Sequence, residues 1–388
     1  MSAHPDMRRY GFIKPHLVRL FTAVDAIGGL LAAPLVGATR CRPPQRILLV
    51  NFAHIGDVLM TTPAIAAIRA AHPGAHIAML VGPWCESVVS HHPSLDEVLV
   101  QRPSWWDREQ GSRYLAPRAF LQLVQALREG RFDAVVNFKS FFQENLACAL
   151  AGIPQRIGYG LYGGGFLHTT CVPFRWSAHT VEQHLVLAAA LGGRSDGHSV
   201  EIFPTEEDTR KVEDWLSGAA RPLFALHLGA GAPSKRWPIE RFAQLARILG
   251  ERLDAHILLV GGRDDAPLAV RFLEHASAAP LDAVGMFTMP QLAVLLRHCR
   301  AFVGNDSGPA HVAAAVGIPT VTVFSGTNDV DVWRPWGRSV ATLQERPECA
   351  PCGLSTCKRD DHACMTNIEA ARVFAALEEL LAPMGAER

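Results

Sequence analysis

The feature that most constrains the fold is a series of short apolar runs, each followed by small or polar residues and then by a helical segment. Uninterrupted apolar strands are typical of sheets buried on both faces, and their alternation with helices indicates parallel pairing. Such doubly wound sheets bind ligands at the carboxyl ends of their strands. The sequence therefore predicts an α/β protein, with strands at 47–52, 76–81, 97–100, 133–138, 223–227, 256–262 and 301–303.

The strand and helix alternation occurs twice, separated by a polar, turn-rich stretch at 194–222. The 388 residues are enough for two domains that each bury a core. We predict an N-terminal extension at 1–44, an N-terminal Rossmann-like domain at 45–205 and a C-terminal one at 206–388. Lys plus Arg and Asp plus Glu are 37 each, so no overall charge favours nucleic acid as a partner.

The extension contains an apolar stretch at 17–36 that is interrupted by Arg19 and Asp25. A membrane-spanning helix needs about 20 largely uninterrupted apolar residues, and a signal peptide does not carry charges inside its apolar region. Two alternatives remain, a helix packed on the protein's own surface and a helix lying in a membrane interface. In the second, the cations that meet anionic headgroups are Arg8, Arg9, Lys14 and Arg19.

The segment 303–326 reads as strand, loop, helix and strand, with small polar residues at the start of the helix. Unpaired N–H groups and the positive end of the helix dipole favour an anion there. Ser307 and Gly308 therefore predict a phosphate cradle, and Asp306 is expected to cap the helix. The alternative is an ordinary capped helix without a ligand.

Two further motifs follow strands of the same half. The loop 229–238 contains Lys235 and Arg236, and the strand after it ends at Gly261 and Gly262. Because parallel strands end at one edge, these loops and the Asp306 loop are expected to lie together. Cations beside a helix start suit a diphosphate, and the paired glycines would let a ribose or base approach the backbone.

Three motifs, at 53–63, 234–238 and 305–311, together resemble the ADP-heptose:lipopolysaccharide heptosyltransferase family, glycosyltransferase family 9. The resemblance extends over about residues 45 to 382 by motif placement. It implies a GT-B fold, in which two Rossmann-like domains face each other across a cleft. It also implies that the C-terminal domain holds the nucleotide sugar, that the anomeric centre is inverted, and that no catalytic metal is needed. The nucleotide sugar is a co-substrate, and no cofactor is expected.

Inverting sugar transfer needs a base for the acceptor hydroxyl and a cradle for the departing diphosphate. By resemblance Asp57 is the base, with a helix N-cap as its alternative role. Lys235 would steady the diphosphate, and His311 would contact the donor unless it is a core histidine. The full expected set is Asp57 and Lys235 as catalytic residues, Ser234, Gly261, Gly262, Asp306, Ser307, Gly308 and His311 on the donor side, and His54, Gly56 and Lys139 on the acceptor side.

Other features carry weaker hypotheses. Glu182 or His184 could face the cleft, although an exposed helix start is the preferred interpretation. Trp105 and Trp106, in a polar loop, could form an acceptor platform, because aromatic faces stack on sugars. Four cysteines with C-x2-C-x4-C-x6-C spacing suggest structural zinc, with free thiols or disulfides as alternatives; they are Cys349, Cys352, Cys357 and Cys364, in the Cys-rich loop 349–364.

The sequence thus predicts a cytoplasmic enzyme that transfers heptose from ADP-heptose to a lipopolysaccharide core or related glycolipid. A peripheral position on the inner face of the cytoplasmic membrane is an open alternative for its location. A nucleotide-sugar-binding or modifying protein, such as a two-domain epimerase, is the main alternative, and it would not need Asp57. A non-catalytic lipid-surface binder is a third, and it would leave Lys235 and Asp306 without a role.

Overall fold

The computed structural model describes residues 15–32, 43–103, 105, 116–194, 197, 199–220 and 222–382. The chain divides into two compact units, residues 1–199 and 200–388, called unit 1 and unit 2 below. Each unit contains a six-stranded sheet, and the pairings between neighbouring strands are parallel in both. The predicted α/β class is confirmed.

The sheet of unit 1 has the strand order β3-β2-β1-β4-β5-β6. Its central strands are buried apolar runs, as the sequence predicts, because helices cover both faces of a doubly wound sheet. The strands are β1 (Arg46–Asn51), β2 (His76–Val81), β3 (Glu97–Val100), β4 (Ala134–Asn137), β5 (Gln155–Tyr159) and β6 (Thr170–Val172).

The helices of unit 1 are α1 (Pro15–Ala32), α2 (Ile55–Leu59), α3 (Thr62–Ala71), α4 (Glu86–Val89), α5 (Pro117–Glu129), α6 (Phe142–Leu150) and α7 (Thr180–Ala190). Pro63 lies in the first turn of α3, where its missing N–H costs no hydrogen bond. A new helix therefore begins beside this proline, and α2 and α3 are separate helices.

Helix α1 packs against unit 1 through one face. The Phe21 ring lies 5.4 Å from the Phe142 ring, and the Gly164 N–H donates to Asp25 Oδ1 at 2.7 Å. The other face is exposed and apolar: Leu20, Ile27 and Leu30 are 54%, 61% and 80% exposed. None of the helices in the described part of the chain combines the length and the apolar character that crossing a membrane requires.

Trp105 does not form the predicted acceptor platform. Its side chain is buried in the core of unit 1, where its ring meets Phe52 edge-on at 6.3 Å. Burying an indole in an apolar core is more favourable than leaving it in a polar loop. The polar neighbours of Trp105 in the sequence therefore do not predict where its side chain lies. Trp106 lies outside the described residues.

The sheet of unit 2 has the order β12-β11-β10-β7-β8-β9. Read from the other edge, this is the strand order of unit 1. The strands are β7 (Leu223–His227), β8 (His256–Val260), β9 (Leu281–Asp282), β10 (Cys299–Asn305), β11 (Thr320–Phe324) and β12 (Val340–Gln344).

The helices of unit 2 are α8 (Glu206–Trp215), α9 (Ile239–Leu253), α10 (Ala266–Leu273), α11 (Met289–Arg297), α12 (Gly308–Ala315), α13 (Val330–Trp333), α14 (Ala363–Thr366) and α15 (Ala370–Leu381). Helix α8 falls in the stretch predicted to be turn-rich. It begins at a capping box, in which Thr205 Oγ1 accepts from the Asp208 N–H at 3.1 Å and Asp208 Oδ2 accepts from the Thr205 N–H at 3.0 Å.

Candidate active site

Each sheet has one point at which the strand order reverses. In unit 1 it lies between β1 and β4, and in unit 2 between β7 and β10. Loops that leave neighbouring strands at such a point diverge and open a crevice at the carboxyl edge of the sheet. The residues expected to be catalytic lie in these loops.

In unit 1 the chain passes from β1 into α2, which carries Asp57. Asn51, the last residue of β1, organises this loop: its Oδ1 accepts from the Ala53 N–H at 3.1 Å, and its Nδ2 donates to Thr61 Oγ1 at 2.9 Å. His54 is the N-cap residue of α2, so the alternative that Asp57 occupies the N-cap is wrong. Asp57 lies in the first turn instead, where its Oδ2 accepts from the His54 N–H at 3.3 Å. Gly56 is buried inside the same short helix.

Lys139 follows β4 and binds Asp57 directly, with 2.5 Å between Nζ and Oδ1. The turn that presents Lys139 is fixed by Asn137, whose Oδ1 accepts from the Ser140 N–H at 2.8 Å. Ser140 adopts a φ of 56°, and its Oγ accepts from the Tyr159 N–H at 2.9 Å. A buried serine with several hydrogen bonds can hold this left-handed conformation, which places its neighbour Lys139 over the crevice.

Burial alone would raise the pKa of Asp57. The charges of Lys139 and His54 lower it, and the net effect is a lowered pKa. The side chains of Lys139 and Asp57 are only 15% and 11% exposed. Asp57 is therefore an ionised carboxylate at neutral pH, with its charge balanced by one lysine. This is the protonation state that a general base requires.

Two titratable groups near this pair behave differently from Asp57. Burial, assisted by Lys139, lowers the pKa of His184 to about 3, so this ring is neutral. Its Nδ1 lies 3.3 Å from Thr61 Oγ1 and 3.2 Å from Met60 O, so the prediction of an exposed helix start is wrong for His184.

Glu182 is exposed, and its Oε2 accepts from the His179 N–H at the start of α7. Glu144 is the second group whose pKa differs from that of Asp57. Burial raises the pKa of Glu144 to about 7.

In unit 2 the loop after β7 brings Lys235 to Asp306, the residue that follows β10. Lys235 Nζ lies 2.6 Å from Asp306 Oδ2, and Asn328 Nδ2 donates to the same oxygen at 3.1 Å. Asp306 was expected to cap the helix, but the N-cap residue of α12 is Ser307. The carboxylate turns to the lysine instead, since an ion pair in a mostly buried position satisfies its charge better than one N–H group.

The loop that carries Lys235 is held at both ends. Asn305 Nδ2 donates to the carbonyl oxygens of Leu228 and Gly229 at 3.0 and 3.1 Å, and Asn305 Oδ1 accepts from the Trp237 N–H at 2.9 Å. Trp237 packs beneath the loop, with its indole N–H donating to Ile368 O at 2.9 Å. One buried asparagine at the end of β10 thus fixes the loop that follows β7.

Ser234 supports this loop from the other side. Its hydroxyl donates to Leu354 O at 2.5 Å and its N–H to Ser355 O at 3.1 Å, and His362 Nε2 lies 3.0 Å from its carbonyl oxygen. The hydroxyl, expected to bind the donor, is buried and engaged within the protein. Ser234 therefore joins the Lys235 loop to the Cys-rich loop.

The cysteines of that loop are free thiols. Among the described residues, which include all four cysteines of the spacing motif, no group of three or more His, Cys, Asp or Glu side chains could hold a metal ion. The zinc hypothesis therefore finds no ligand set in the structure. The hydrogen bonds to Ser234 give the loop a structural role that does not require a metal.

The predicted phosphate cradle lies at the start of α12, where Gly308 is the first helical residue and Pro309, the second, has no N–H to offer. The Ala310 N–H donates to Ser307 O at 3.2 Å, so the Gly308 N–H is the first-turn group that could face an anion. His311 lies in this helix and is buried. The Gly261–Gly262 turn lies on the far side of β7, where the Gly262 N–H donates to Asp265 Oδ2 at 2.9 Å.

Three polar residues at this edge were missed by the sequence predictions. His227 ends β7 and is buried, Asp265 lies before α10, and Asn328 follows β11. His227 is hidden in an apolar run, and the other two occur in loops without a motif. Only the strand order brings them to Ser307 and Asp306.

A comparison with family models finds glycosyltransferase family 9 (heptosyltransferase) over residues 120–362. Lipopolysaccharide heptosyltransferase 1 of Pseudomonas aeruginosa is 28% identical over 361 residues, which are 87% of this chain and 98% of that protein. Lipopolysaccharide heptosyltransferase 2 of Salmonella typhimurium is 26% identical, covering 88% of this chain and 100% of that protein.

The solved structure of the ADP-heptose lipopolysaccharide heptosyltransferase II of Escherichia coli is similar with a TM-score of 0.70 at 23% identity. The similarity covers 88% of this chain and 100% of that one, which confirms the predicted GT-B fold class. The family model spans more than half of the chain and includes both Lys139 and the Lys235–Asp306 pair. The chain is a glycosyltransferase, and it belongs to family 9, the heptosyltransferase family.

Proposed function

We propose that this chain transfers heptose from ADP-heptose, with inversion, to a lipopolysaccharide core or a related glycolipid. The observation that carries the proposal is the pair formed by Lys139 and Asp57, which keeps a carboxylate ionised at the switch point of unit 1. The names of the relatives support heptose as the sugar and lipopolysaccharide as the acceptor.

Asp57 is the general base in this proposal. The acceptor hydroxyl oxygen attacks the anomeric carbon of the donor, its proton passes to the Asp57 carboxylate, and the bond between the anomeric carbon and the β-phosphate oxygen breaks. The electron pair of that bond leaves with ADP. Attack from the face opposite the leaving group inverts the anomeric centre. The proton acceptor is thereby on unit 1, together with the acceptor-side residues His54, Gly56 and Lys139.

Unit 2 holds the donor and stabilises the leaving group. Lys235 and the Gly308 N–H at the start of α12 would present positive charge at the switch point, where the diphosphate gains charge as the bond breaks. Asp306, which already holds Lys235, would orient the lysine or a sugar hydroxyl, and His311 would contact the donor. The resemblance implies a metal-independent reaction, and the cation and N–H groups supply the stabilisation that such a reaction needs.

An enzyme that only binds or epimerises a nucleotide sugar would use the donor cradle alone. Asp57 and Lys139 would then have no chemical task, although a buried ion pair is costly to maintain compared with apolar packing. The presence of this pair at the carboxyl edge of the other sheet therefore favours transfer. Asp57→Asn is the variant that separates the two functions.

The first experiment measures donor binding and transfer separately. Calorimetry with ADP-heptose, ADP-glucose and a UDP-sugar gives the donor preference, and a product assay with a heptose-free lipopolysaccharide core gives transfer. Asp57→Asn should bind ADP-heptose with the wild-type affinity and reduce transfer by about 10²- to 10⁴-fold, the usual contribution of a general base. Lys235→Ala should weaken both donor binding and transfer.

Matched controls separate these effects from general damage. Glu129→Gln removes an exposed carboxylate from unit 1, and Lys211→Ala removes an exposed lysine from unit 2. Both should behave as the wild type. Transfer by Asp57→Asn at the wild-type rate would contradict the proposed mechanism. So would a donor affinity that is unchanged in Lys235→Ala.

We also propose that the enzyme is cytoplasmic and lies on the inner face of an anionic membrane through α1. With Asp25 turned inward to Gly164, the exposed face of α1 carries Leu20, Ile27 and Leu30, and Arg19 is the exposed charge beside them. An apolar helix face with a cation at its border suits an anionic lipid interface. A glycolipid acceptor would be met at the same surface.

Vesicle sedimentation tests this part. Leu20→Asp combined with Ile27→Asp should abolish binding of the full chain to vesicles that contain an anionic lipid, while binding of ADP-heptose stays unchanged. Val270→Asp places the same charge on an exposed apolar residue of unit 2 and is the control. Equal sedimentation of all three proteins would show that α1 is not the membrane contact.

A further inference from the structure

A continuous chain of hydrogen bonds crosses the ends of three neighbouring strands in unit 2. Ser307 Oγ lies 2.9 Å from His227 Nδ1, and His227 Nε2 lies 3.2 Å from Asp265 Oδ2. Ser307 follows β10, His227 ends β7, and Asp265 follows β8. The chain therefore leads from the N-cap residue of α12 to a carboxylate that is two strands away.

The carboxylate end of this chain is fixed firmly. The Gly262 N–H donates to Asp265 Oδ2 at 2.9 Å, and a Cβ on Gly229 would lie 1.9 Å from Asp265 Oδ1. Glycine at position 229 is therefore what allows the carboxylate to reach His227. Burial raises the pKa of Asp265, but the imidazole of His227, the Gly262 N–H and the Arg236 charge lower it, and the net effect is a lowered pKa. Asp265 is an ionised acceptor.

A count of hydrogens follows from this geometry. An ionised carboxylate only accepts, so His227 Nε2 carries a hydrogen. If the ring is neutral, Nδ1 has a lone pair and takes the Ser307 hydroxyl hydrogen, which leaves Ser307 with lone pairs only. If the ring is protonated, Nδ1–H donates to Ser307 Oγ, and the hydroxyl hydrogen is free for another acceptor. The backbone carbonyl of Asn305, 3.1 Å from Ser307 Oγ, is such an acceptor when no donor is bound.

We propose that His227 takes up a proton when the donor diphosphate binds, so that Ser307 can donate its hydroxyl hydrogen to a phosphate oxygen while Asp265 stabilises the charged ring. This inference rests on the proposed function, which places the diphosphate at the start of α12. In it, His227 and Asp265 are positioning residues, and Ser307 is the group that touches the donor. A neutral His227 would instead present oxygen lone pairs to an anion.

The charged groups around His227 favour this exchange once an anion is present. Asp265 attracts the ring proton, whereas the nearby Arg236 opposes it. Lys235 and Asp306 balance each other in the free protein. An arriving diphosphate adds negative charge at this edge, and a histidine is the side chain that responds to such a change near neutral pH. Donor affinity should therefore rise as the pH falls from about 8 to about 6.

The test is a calorimetric titration of the full chain with ADP-heptose in two buffers of different ionisation enthalpy, neither of them phosphate. Both phosphates of this ligand are esterified, so the ligand does not titrate near neutral pH. The wild type should take up a fraction of a proton, which appears as a binding enthalpy that depends on the buffer. Its affinity at pH 6 should exceed that at pH 8 by about fivefold, the gain when a neutral hydrogen bond becomes charge-assisted.

Three variants locate the proton. His227→Gln and Ser307→Ala should bind with an enthalpy independent of the buffer and an affinity independent of pH over this range. Asp265→Asn should reduce the uptake. His256→Gln is the control, because His256 is exposed at the opposite edge of the same sheet, and it should keep the wild-type uptake.

The wild-type titration needs no substitution, so a variant that fails to fold does not decide the outcome. Donor binding without proton uptake in the wild type would overturn the inference and leave the proposed function intact. So would an uptake that persists in His227→Gln. If ADP-heptose does not bind at all, or if Lys235→Ala binds it normally, the proposed function itself is wrong.

Discussion

Lys139 and Asp57 are 82 residues apart in the chain, yet Lys139 Nζ lies 2.5 Å from Asp57 Oδ1. Unit 2 repeats this relationship, with 2.6 Å between Lys235 Nζ and Asp306 Oδ2. In unit 1 the aspartate follows the first strand at the switch point and the lysine follows the second, and in unit 2 the order is reversed. Each sheet thus carries one compensated ion pair at the position where its ligand is expected.

Replacing Lys139 by methionine should make Asp57 a weaker acid. In the wild type the pKa of Asp57 lies below its ordinary value of 3.8, so the stabilisation is present above about pH 4 and is lost as the pH falls through the lowered pKa. Without Lys139, burial raises the pKa of Asp57, and the acid limb of the kcat profile moves to higher pH. Loss of one partner from a buried pair also costs about 3 kcal/mol of stability. Lys139→Arg should retain most of both properties, and an acid limb that does not move in Lys139→Met would show that Asp57 is not the base.

Replacing Lys235 by alanine should weaken donor binding strongly. Replacing Lys235 and Asp306 together should have a smaller effect on the stability of the fold. Lys235→Ala leaves Asp306 hydrogen-bonded to Asn328 and brings its uncompensated charge against a diphosphate. We expect about a 100-fold loss of ADP affinity, in the range measured for charged hydrogen bonds. Lys235→Ala combined with Asp306→Ala should recover stability in urea unfolding without recovering wild-type affinity. Equal affinity in the double variant and the wild type would exclude the lysine from the cradle.

Glu144→Gln should change how stability depends on pH. Burial raises the pKa of Glu144 from 4.5 to about 7, against the opposing Phe141 N–H, so the folded state holds this proton more tightly than the unfolded chain. Stability from this group is complete below about pH 4.5 and is lost as the pH rises through 7. A glutamine remains neutral throughout, so the variant should equal the wild type at pH 4.5 and exceed it at pH 8 by up to about 3 kcal/mol. Urea unfolding at the two pH values measures this, and parallel curves would contradict it.

Gly229→Ala should disconnect Asp265 from His227. The added Cβ would lie 1.9 Å from Asp265 Oδ1, so the carboxylate or the loop must move. We expect about a tenfold loss of donor affinity at pH 6, which is about 1.4 kcal/mol, together with loss of the buffer-dependent binding enthalpy. Gly74→Ala is the matched control, because a Cβ there meets nothing within 4 Å. Wild-type proton uptake in Gly229→Ala would show that the two residues need not touch.

Much of the fold could be predicted from local patterns. Helices α5 and α9 can be recognised from local sequence, since one begins at a proline and both have a regular apolar face. Helix α8 was missed because it is highly polar and buries only Val212, although the capping box of Thr205 and Asp208 was a usable signal. The family and the fold class were predictable because three motifs occur in a fixed order.

The site was only partly predictable, because most of its geometry comes from strand order. Asp57 and Lys235 stand in recognisable motifs, but nothing local indicates that Lys139 contacts Asp57 or that Asp306 turns from the helix to Lys235. His227 and Ser307 are separated by 80 positions and meet only because β7 and β10 are neighbours. Trp105 was predicted at an acceptor site because its neighbours in the sequence are polar, but its side chain belongs to the hydrophobic core of unit 1.

The hydrogen bonds of Ser234 have a consequence for the order in which the protein can mature. The partners of Ser234 are Leu354, Ser355 and His362, and the indole of Trp237 depends on Ile368. A growing chain on the ribosome has made all the strands of both sheets before these residues emerge. The Lys235 loop therefore acquires these supports only after every strand of both sheets has been synthesised.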